Sequence, residues 1–214
     1  MKCKICNSIT KTINYEKYNW EFFHCEHCEF IFKNPLNYID ETNELKQYKN
    51  HNNTMESIGY VEMFEKFINV TFKPYIKDIK TVLEFGSGPG PVLAELLKRQ
   101  DLKVDIYDKF FSPEKVYKDK KYDLITSTEV IEHISNPLEI FHFFASHIRK
   151  NGYLALMTQF HTNDANEFKK WWYKNDPTHI CFFRPHTFQV LASMSGFKVL
   201  KSDDKKSVLL QKVI

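Results

Sequence analysis

The sequence predicts an α/β domain of three layers, a mainly parallel sheet with helices on both faces, preceded by a small cysteine-rich module. Three observations carry that prediction. From residue 81 onward, short apolar runs alternate with amphipathic segments, the pattern of strands joined by crossover helices. The chain has only 6 glycines in 214 residues, yet Gly86, Gly88 and Gly90 fall together between one such run and the helix after it. Four of the 5 cysteines form two C-x2-C pairs near the amino terminus, Cys3/Cys6 and Cys25/Cys28.

The cysteine pairs come first. They are separated by residues 7–24, a spacing within the roughly 15–20 residues typical of zinc sites built from two knuckles. Each knuckle converges two thiolates, and two knuckles complete a tetrahedron of sulfur about 2.3 Å from the metal. The intervening TINYEKYNWEFFHC alternates β-rich residues, as the hairpin of a zinc ribbon does. Four sulfurs leave no open position, so the expected zinc is structural, with His24 and His27 on the surface or hydrogen-bonded behind the ligands. Five lysines face four glutamates over residues 1–34, and a zinc on four thiolates turns that slight excess negative. A ribbon that grips RNA is clearly basic.

Residues 35–54 are polar and Asn-rich, a connector with room for one short helix. From Met55 to Phe72 apolar residues recur at helical spacing, until Pro74. TVLEF is a strand that runs straight into GSGPG, and PVLAELLKR is the helix beyond it. KVDIYD and KYDLITST read as further strands, and NPLEIFHFFASHIRK as a helix with Leu138, Phe141, Phe144, Ala145 and Ile148 on one face. GYLALMT is a buried strand, RPHTFQVLASMSG a helix closed by Gly196, and FKVLKS with SVLLQKVI a terminal hairpin.

Composition sets the outer bounds. With 43% hydrophobic and 15% aromatic residues, the chain can bury a core and is not disordered. No apolar run approaches the ~20 residues of a membrane span, and MKCKICNSIT lacks the apolar stretch of a signal peptide. A cytoplasmic protein with no membrane partner is expected. The net charge of +3 is too small to call for a polyanion, and only Arg99, Arg149 and Arg184 offer the forked donor that suits bases and phosphates.

The strand, glycine loop and helix form a unit that holds a nucleotide-like ligand. Glycines let the backbone approach it, and the helix start offers unpaired N–H groups. VLEFGSGPG departs from the dinucleotide fingerprint, because its third glycine follows two positions after the second. It resembles the first motif of class I S-adenosylmethionine-dependent methyltransferases, with Glu84 as the acid on the strand and Gly86, Gly88 and Gly90 in the turn. Asp108, ending the second strand, matches the acid that pairs with the ribose hydroxyls. YDLITSTEVIEHISNP resembles the fourth-strand motif, after which come Glu129, Glu132 and His133, and HIRKNGYLALMT matches the next helix, turn and strand. The resemblance spans residues 55–214 and implies a Rossmann-like sheet with an antiparallel last strand. It places the cofactor against Glu84, Gly86, Ser87, Gly88, Gly90, Asp108, Phe110, Thr128 and Glu129. Glu132 and His133 are also ordinary residues for a helix start.

One departure stands out. Too few residues separate Asp108 from Asp123 for the family's usual third strand and its helix, so the fold is shortened there. Adenine recognition then falls to other residues, with Phe110 and Phe111 offering either a stacking surface or core packing.

The segment QFHTNDANEFKKWWYKNDPTHICFFRPHTF follows the fifth strand of that pattern, where acceptor specificity resides in α/β enzymes. Its W-W-Y…D-P-T-H stretch is similar to one in a bacterial subgroup of these methyltransferases. Trp171, Trp172 and Tyr173 wall a pocket or cover a sheet end. An alcohol acceptor needs a base of near-neutral pKa, so His179 is the candidate base, with Asp176 orienting it, His133 as a further catalytic candidate and His161 as competitor. Cys181, among Ile180, Phe182 and Phe183, reads as a buried small hydrophobe. The function this resemblance implies is methyl transfer from S-adenosylmethionine to a small molecule, with an oxygen of a sugar or secondary metabolite as the expected acceptor. An RNA methyltransferase and a non-catalytic ribbon protein are the alternatives.

Overall fold

The computed structural model describes residues 1–49 and 54–213. The expected connector over 50–53 and the final residue of the expected last strand lie outside them. Strands β1 (Lys11–Tyr15), β2 (Trp20–Cys25) and β3 (Phe30–Lys33) form an antiparallel meander, the hairpin read from sequence plus one more strand. Asn19, left-handed at φ 53°, closes the turn between β1 and β2. Helix α1 (Glu41–Tyr48) starts at Asp40, whose carboxylate accepts the Asn43 N–H and satisfies a donor the helix leaves open.

Beyond it come α2 (Ile58–Val70), β4 (Thr81–Phe85), α3 (Val92–Lys98), β5 (Lys103–Tyr107), β6 (Tyr122–Thr128) and α4 (Pro137–His147). Then follow β7 (Ile148–Met157), α5 (Ala165–Lys170), β8 (Cys181–Phe182), α6 (Pro185–Ser195), β9 (Phe197–Ser202) and β10 (Ser207–Lys212). Ile148 begins β7 rather than ending α4 as its spacing suggested: its backbone, at φ −97° and ψ 139°, has already turned extended. Gly196 ends α6 in the left-handed conformation expected of it.

The six-stranded sheet runs β5-β4-β6-β7-β10-β9. The first four strands are parallel, and β10 is antiparallel to both neighbours. Residues 109–121 supply no strand or helix; Asp108 and Ser112 exchange N–H···O bonds of 3.0 and 3.1 Å across a tight turn. The shortening read from the sequence is therefore real, and it leaves β5 as the sheet edge.

Alternation along the strands builds two cores. Leu83, Leu154, Leu156, Val208 and Leu210 face Phe141 and Phe144 of α4 and Phe188 and Leu191 of α6. Val82, Ala155, Met157 and Leu209 face Phe64, Phe67 and Ile68 of α2 and Leu93, Leu96 and Leu97 of α3. Both faces are buried, which is why these strands read as continuous apolar runs.

The amino-terminal meander is joined to the domain. Its β3 pairs with β8, with Ile31 opposite Phe182 and Phe32 opposite Cys181, so the ribbon sheet takes its fourth strand from the far end of the chain. Cys3, Cys25, Cys28, Phe30 and Phe32 share the α4–α6 core. A third cluster packs Ile13, Phe22 and Ile31 against Phe168, Tyr173 and Phe182. Among the described residues no helix is long and apolar enough to cross a membrane.

Candidate active site

The chain order reverses beside β4, and at the carboxyl ends of β4, β5 and β6 lies a cleft of about 730 Å³. Such a switch point is where open α/β sheets bind ligands. The cleft is lined by Glu84, Gly86, Ser87, Gly88, Asp108, Phe110, Phe111, Thr128, Glu129, His133, Trp172, Tyr173, Asp176 and His179. Candidates from four separate stretches of sequence thus meet on one surface. Gly90 lies outside this lining; its carbonyl accepts the Val92 N–H and turns the chain into α3.

The glycine loop is shaped by its backbone. Gly86 and Gly88 have φ of 82° and 65°, where other residues are strained. A Cβ on Gly86 would lie 2.2 Å from a methyl of Val130. The loop is pinned from β5: the Tyr107 carbonyl accepts N–H groups of Gly86 (2.7 Å) and Ser87 (3.3 Å). Asp108 Oδ2 accepts the Gly88 N–H at 2.9 Å, and Oδ1 accepts those of Phe110 (2.8 Å) and Phe111 (3.0 Å). The acid therefore already holds the loop while facing the cleft, with oxygen lone pairs to spare for hydroxyl donors.

Glu84 sits on β4 with 3% of its surface exposed. Burial pushes its carboxyl up to about 8, opposed by the Ala94 N–H and the charge of Lys98. Glu84 Oε2 and the Ser87 hydroxyl are buried without hydrogen-bond partners among the described residues, and both residues line the cleft. An unpartnered acid and hydroxyl, a positive-φ glycine loop and a carboxylate beyond the next strand suit a ligand carrying an ammonium and a diol. S-adenosylmethionine carries both.

At the other end, Glu129 leaves β6 in a left-handed conformation, φ 53°, its N–H held by the Met157 carbonyl at 2.8 Å. The Tyr173 hydroxyl lies 2.8 Å from Glu129 Oε2, 3.2 Å from the Thr158 hydroxyl, and hydrogen-bonds Glu132 Oε1. Burial raises the carboxyl pKa of both glutamates, and for Glu132 the charge of Glu129 raises it further.

His179 Nδ1 lies 2.7 Å from the Tyr173 carbonyl, and His133 Nδ1 3.0 Å from that of Thr178. This corrects the role expected of Asp176. Its Oδ1 accepts the Thr178 N–H (2.8 Å) and hydroxyl (2.6 Å), and a main-chain carbonyl orients His179. Burial pushes the Asp176 carboxyl up, but the Thr178 hydroxyl and the His179 ring outweigh it, so Asp176 keeps its charge and acts on His179 through space. The reason is local: in Asp-Pro-Thr-His the carboxylate closes an Asx-type turn on the residue two ahead.

The competing His161 is a structural residue. Its Nε2 donates to the Glu29 carbonyl (2.9 Å) and its Nδ1 accepts the Asn163 N–H (3.0 Å), and burial lowers its pKa to about 3. His24 is buried as well, bonding Asn163 Oδ1 at 2.9 Å, whereas His27 is exposed. Cys181 is fully buried, its thiol pushed up to about 12. Of the aromatic run, Trp172 is 68% exposed on the cleft, while Trp171 and Phe182 pack with Phe168 between ribbon and domain. Sequence reasoning missed Tyr48, Tyr60 and Lys206, which reach the cleft from α1, from α2 and from just before β10. No local spacing links them to the motifs.

The four amino-terminal cysteines draw together, with Cys3 and Cys28 sulfurs 3.5 Å apart and Cys6 and Cys25 sulfurs 3.4 Å apart. All four lie within 4.8 Å of one another, against an edge of ~3.8 Å for a tetrahedron with 2.3 Å metal–sulfur bonds. Their mutual hydrogen bond pulls the Cys3 thiol down to about 5 and pushes Cys28 up. A divalent cation resolves that competition by taking all four as thiolates. The set could hold a zinc ion.

Comparison with known proteins agrees with this geometry. A family described as a methyltransferase domain matches residues 57–202. No curated protein matches the chain. Among solved structures, mitomycin 7-O-methyltransferase MmcR superposes with a TM-score of 0.56 at 12% identity, over 81% of this chain and 59% of that one. The chain thus spans about three fifths of that enzyme's length. A Galdieria sulphuraria protein described as a sarcosine dimethylglycine methyltransferase gives 0.52 at 12% identity, over 72% and 86% of the two chains. The match covers well over half of the sequence, and the chain belongs to the methyltransferase-domain family.

Proposed function

We propose that the protein methylates an oxygen of a small-molecule acceptor, with a structural zinc in its amino-terminal ribbon. One observation carries the reading: the Glu84–Asp108 end and the Trp172–His179 end belong to a single cleft of about 730 Å³, within the range of small-ligand sites. Glu84 would take the cofactor's ammonium, the loop at Gly86, Ser87 and Gly88 its main-chain approach, and Asp108 its ribose hydroxyls. Phe110 and Phe111 would offer the base an apolar wall. Bound S-adenosylmethionine supplies an electrophilic methyl group.

The remaining work belongs to the chain. Trp172 and Tyr173 would flank the acceptor. His179, its Nδ1 2.7 Å from the Tyr173 carbonyl, would accept the proton of the acceptor's hydroxyl, and the negative charge of Asp176 favours the imidazolium that forms. Among ribbon lysines, Lys4 is bonded to Tyr38 and the Ser135 carbonyl, Lys11 to Glu26, and Lys33 is buried against Trp20. That engagement disfavours RNA as the acceptor.

The test is a screen of hydroxylated small molecules with methyl-labelled cofactor. Transfer to an oxygen acceptor, reduced at least ~100-fold in kcat by His179→Gln, is expected. Transfer only to RNA, or only to nitrogen or carbon, would end the proposal.

A further inference from the structure

One residue of the amino-terminal ribbon holds the chain on both sides of His179. Lys33 ends β3, and its Nζ donates to the Pro177 carbonyl at 3.0 Å while its main-chain N–H donates to the Ile180 carbonyl at 2.9 Å. From the opposite direction the Ile180 N–H donates to the Glu132 carbonyl at 2.8 Å, and the His179 N–H closes the turn on the Asp176 carbonyl at 3.2 Å. The main chain that carries the ring is thus fixed between the ribbon and the loop after β6.

Packing alone does not call for a lysine at this place. The side chain has no exposed surface, and its ammonium lies 3.9 Å from the centre of the Trp20 ring and 6.0 Å from that of Phe22. Burying an ammonium costs more than burying a methionine of similar length, and one carbonyl with two ring faces returns only part of the difference. Burial pulls the Lys33 group down to about 8, opposed by the negative charge of Asp176, so it is mostly charged at pH 7. A methionine would fill the space. Only the ammonium gives Pro177 a donor and also sets a positive charge toward Asp176, whose own charge acts on His179.

We propose that Lys33 is a positioning residue for methyl transfer, setting the place and the proton affinity of the His179 ring from within the ribbon. Lys33 does not line the cleft, so it acts through the turn rather than on cofactor or acceptor. The ring itself is faced by the Tyr173 phenol and by His133, with ring centres 4.1 and 4.8 Å away, by the Glu132 carboxyl and by Asp176. The link to turnover rests on His179 as proton acceptor; the hold on the ring does not.

The test is Lys33→Met in the full chain, with Phe168→Leu as a comparison that loosens the same contact between ribbon and domain through an apolar residue. Ring signals of His179 in histidine-labelled protein, assigned with His179→Gln, are followed by NMR between about pH 5 and pH 9.5. Lys33→Met should raise the titration midpoint by ~0.3–1 pH unit, because a nearby cation is gone, and Phe168→Leu should leave it in place. S-adenosylmethionine should bind Lys33→Met within about twofold of the parent by calorimetry. On an identified acceptor, kcat should fall at least ~10-fold while KM changes less than about threefold. In the unaltered protein the His179 signal should also show a second inflection near pH 8 as Lys33 loses its proton, a readout that stands even where the variant does not fold. His179 curves that coincide in parent and Lys33→Met, an equal shift in Phe168→Leu, or a single-step curve in the unaltered protein overturns the proposal. If the ring responds as described but His179→Gln leaves methyl transfer intact, the base reading falls and the hold of Lys33 on the ring stands.

Discussion

Replacing Glu84 by Gln separates what the acid costs the fold from what it gives the cofactor. With its pKa raised from 4.5 to about 8, Glu84 in the ligand-free fold is only about one tenth ionised at pH 7. The shift makes the buried carboxylate ~5 kcal/mol less favourable than an exposed one. Holding the proton avoids most of that, but the unfolded chain is ionised at pH 7, so the acid still costs ~3 kcal/mol there. The sign follows from the raised pKa. The protonated acid's contribution to stability is complete below pH 4.5 and is lost as pH rises through about 8. Gln does not titrate, though its amide would leave the position of the unpartnered Oε2 still unsatisfied, at ~1 kcal/mol. Ligand-free E84Q should therefore melt ~4–8 °C above the parent at pH 7, with the advantage vanishing near pH 4.5.

Cofactor binding should show the reverse. Losing a buried carboxylate–ammonium pair costs ~3 kcal/mol, or about 100-fold in Kd. Calorimetry in buffers of different ionisation enthalpy should detect close to one proton released by the parent at pH 7, and none from this site in E84Q. A variant that melts lower than the parent at pH 7, or that binds S-adenosylmethionine equally well, would refute the reasoning.

Three further outcomes are expected. Asp108→Ala removes the acceptor of three N–H groups as well as the ribose partner, so S-adenosylmethionine should bind ~10–100-fold more weakly by calorimetry, with Asp108→Asn intermediate. Gly86→Ala places a methyl 2.2 Å from Val130 at φ 82° and should cost ~2–5 kcal/mol in urea unfolding. Adding Val130→Ala should recover the clash but not the backbone strain, leaving ~1–2 kcal/mol lost. Metal analysis should return one zinc per chain, and Cys25→Ser should abolish it. It should lower the melting temperature by ~10 °C or more, because Cys25 belongs to the core that α4 and α6 share.

The legible parts of this protein were those whose signal is local. Strand alternation, the glycine loop and the cysteine spacing each act over a few residues, and the sheet and its shortened edge followed from them. Asp176 shows where local reading stops. A carboxylate three residues before a histidine looks like its orienter, but the same carboxylate is the natural acceptor for its own turn, and the turn is nearer. The burial of Lys33 and His24 depends on contacts with residues 177 and 163, which no spacing in the first 34 residues announces. Likewise β8, two residues long, is a strand only because β3 lies beside it.

Those distant contacts share a destination. The ribbon touches mainly the segment between β7 and α6: Tyr15 bonds Asn175, Lys33 the Pro177 carbonyl, His24 Asn163, and Glu29 pairs with Arg184 at 2.8 Å. The Lys33 N–H accompanies these on the Ile180 carbonyl at 2.9 Å. Tyr173, Asp176 and His179 lie inside the segment so gripped. Long connections after a sheet strand are ordinarily the mobile part of an α/β enzyme, yet this one is bound along its length to a second sheet. Its contacts make the meander a buttress for the Tyr173–His179 side of the cleft.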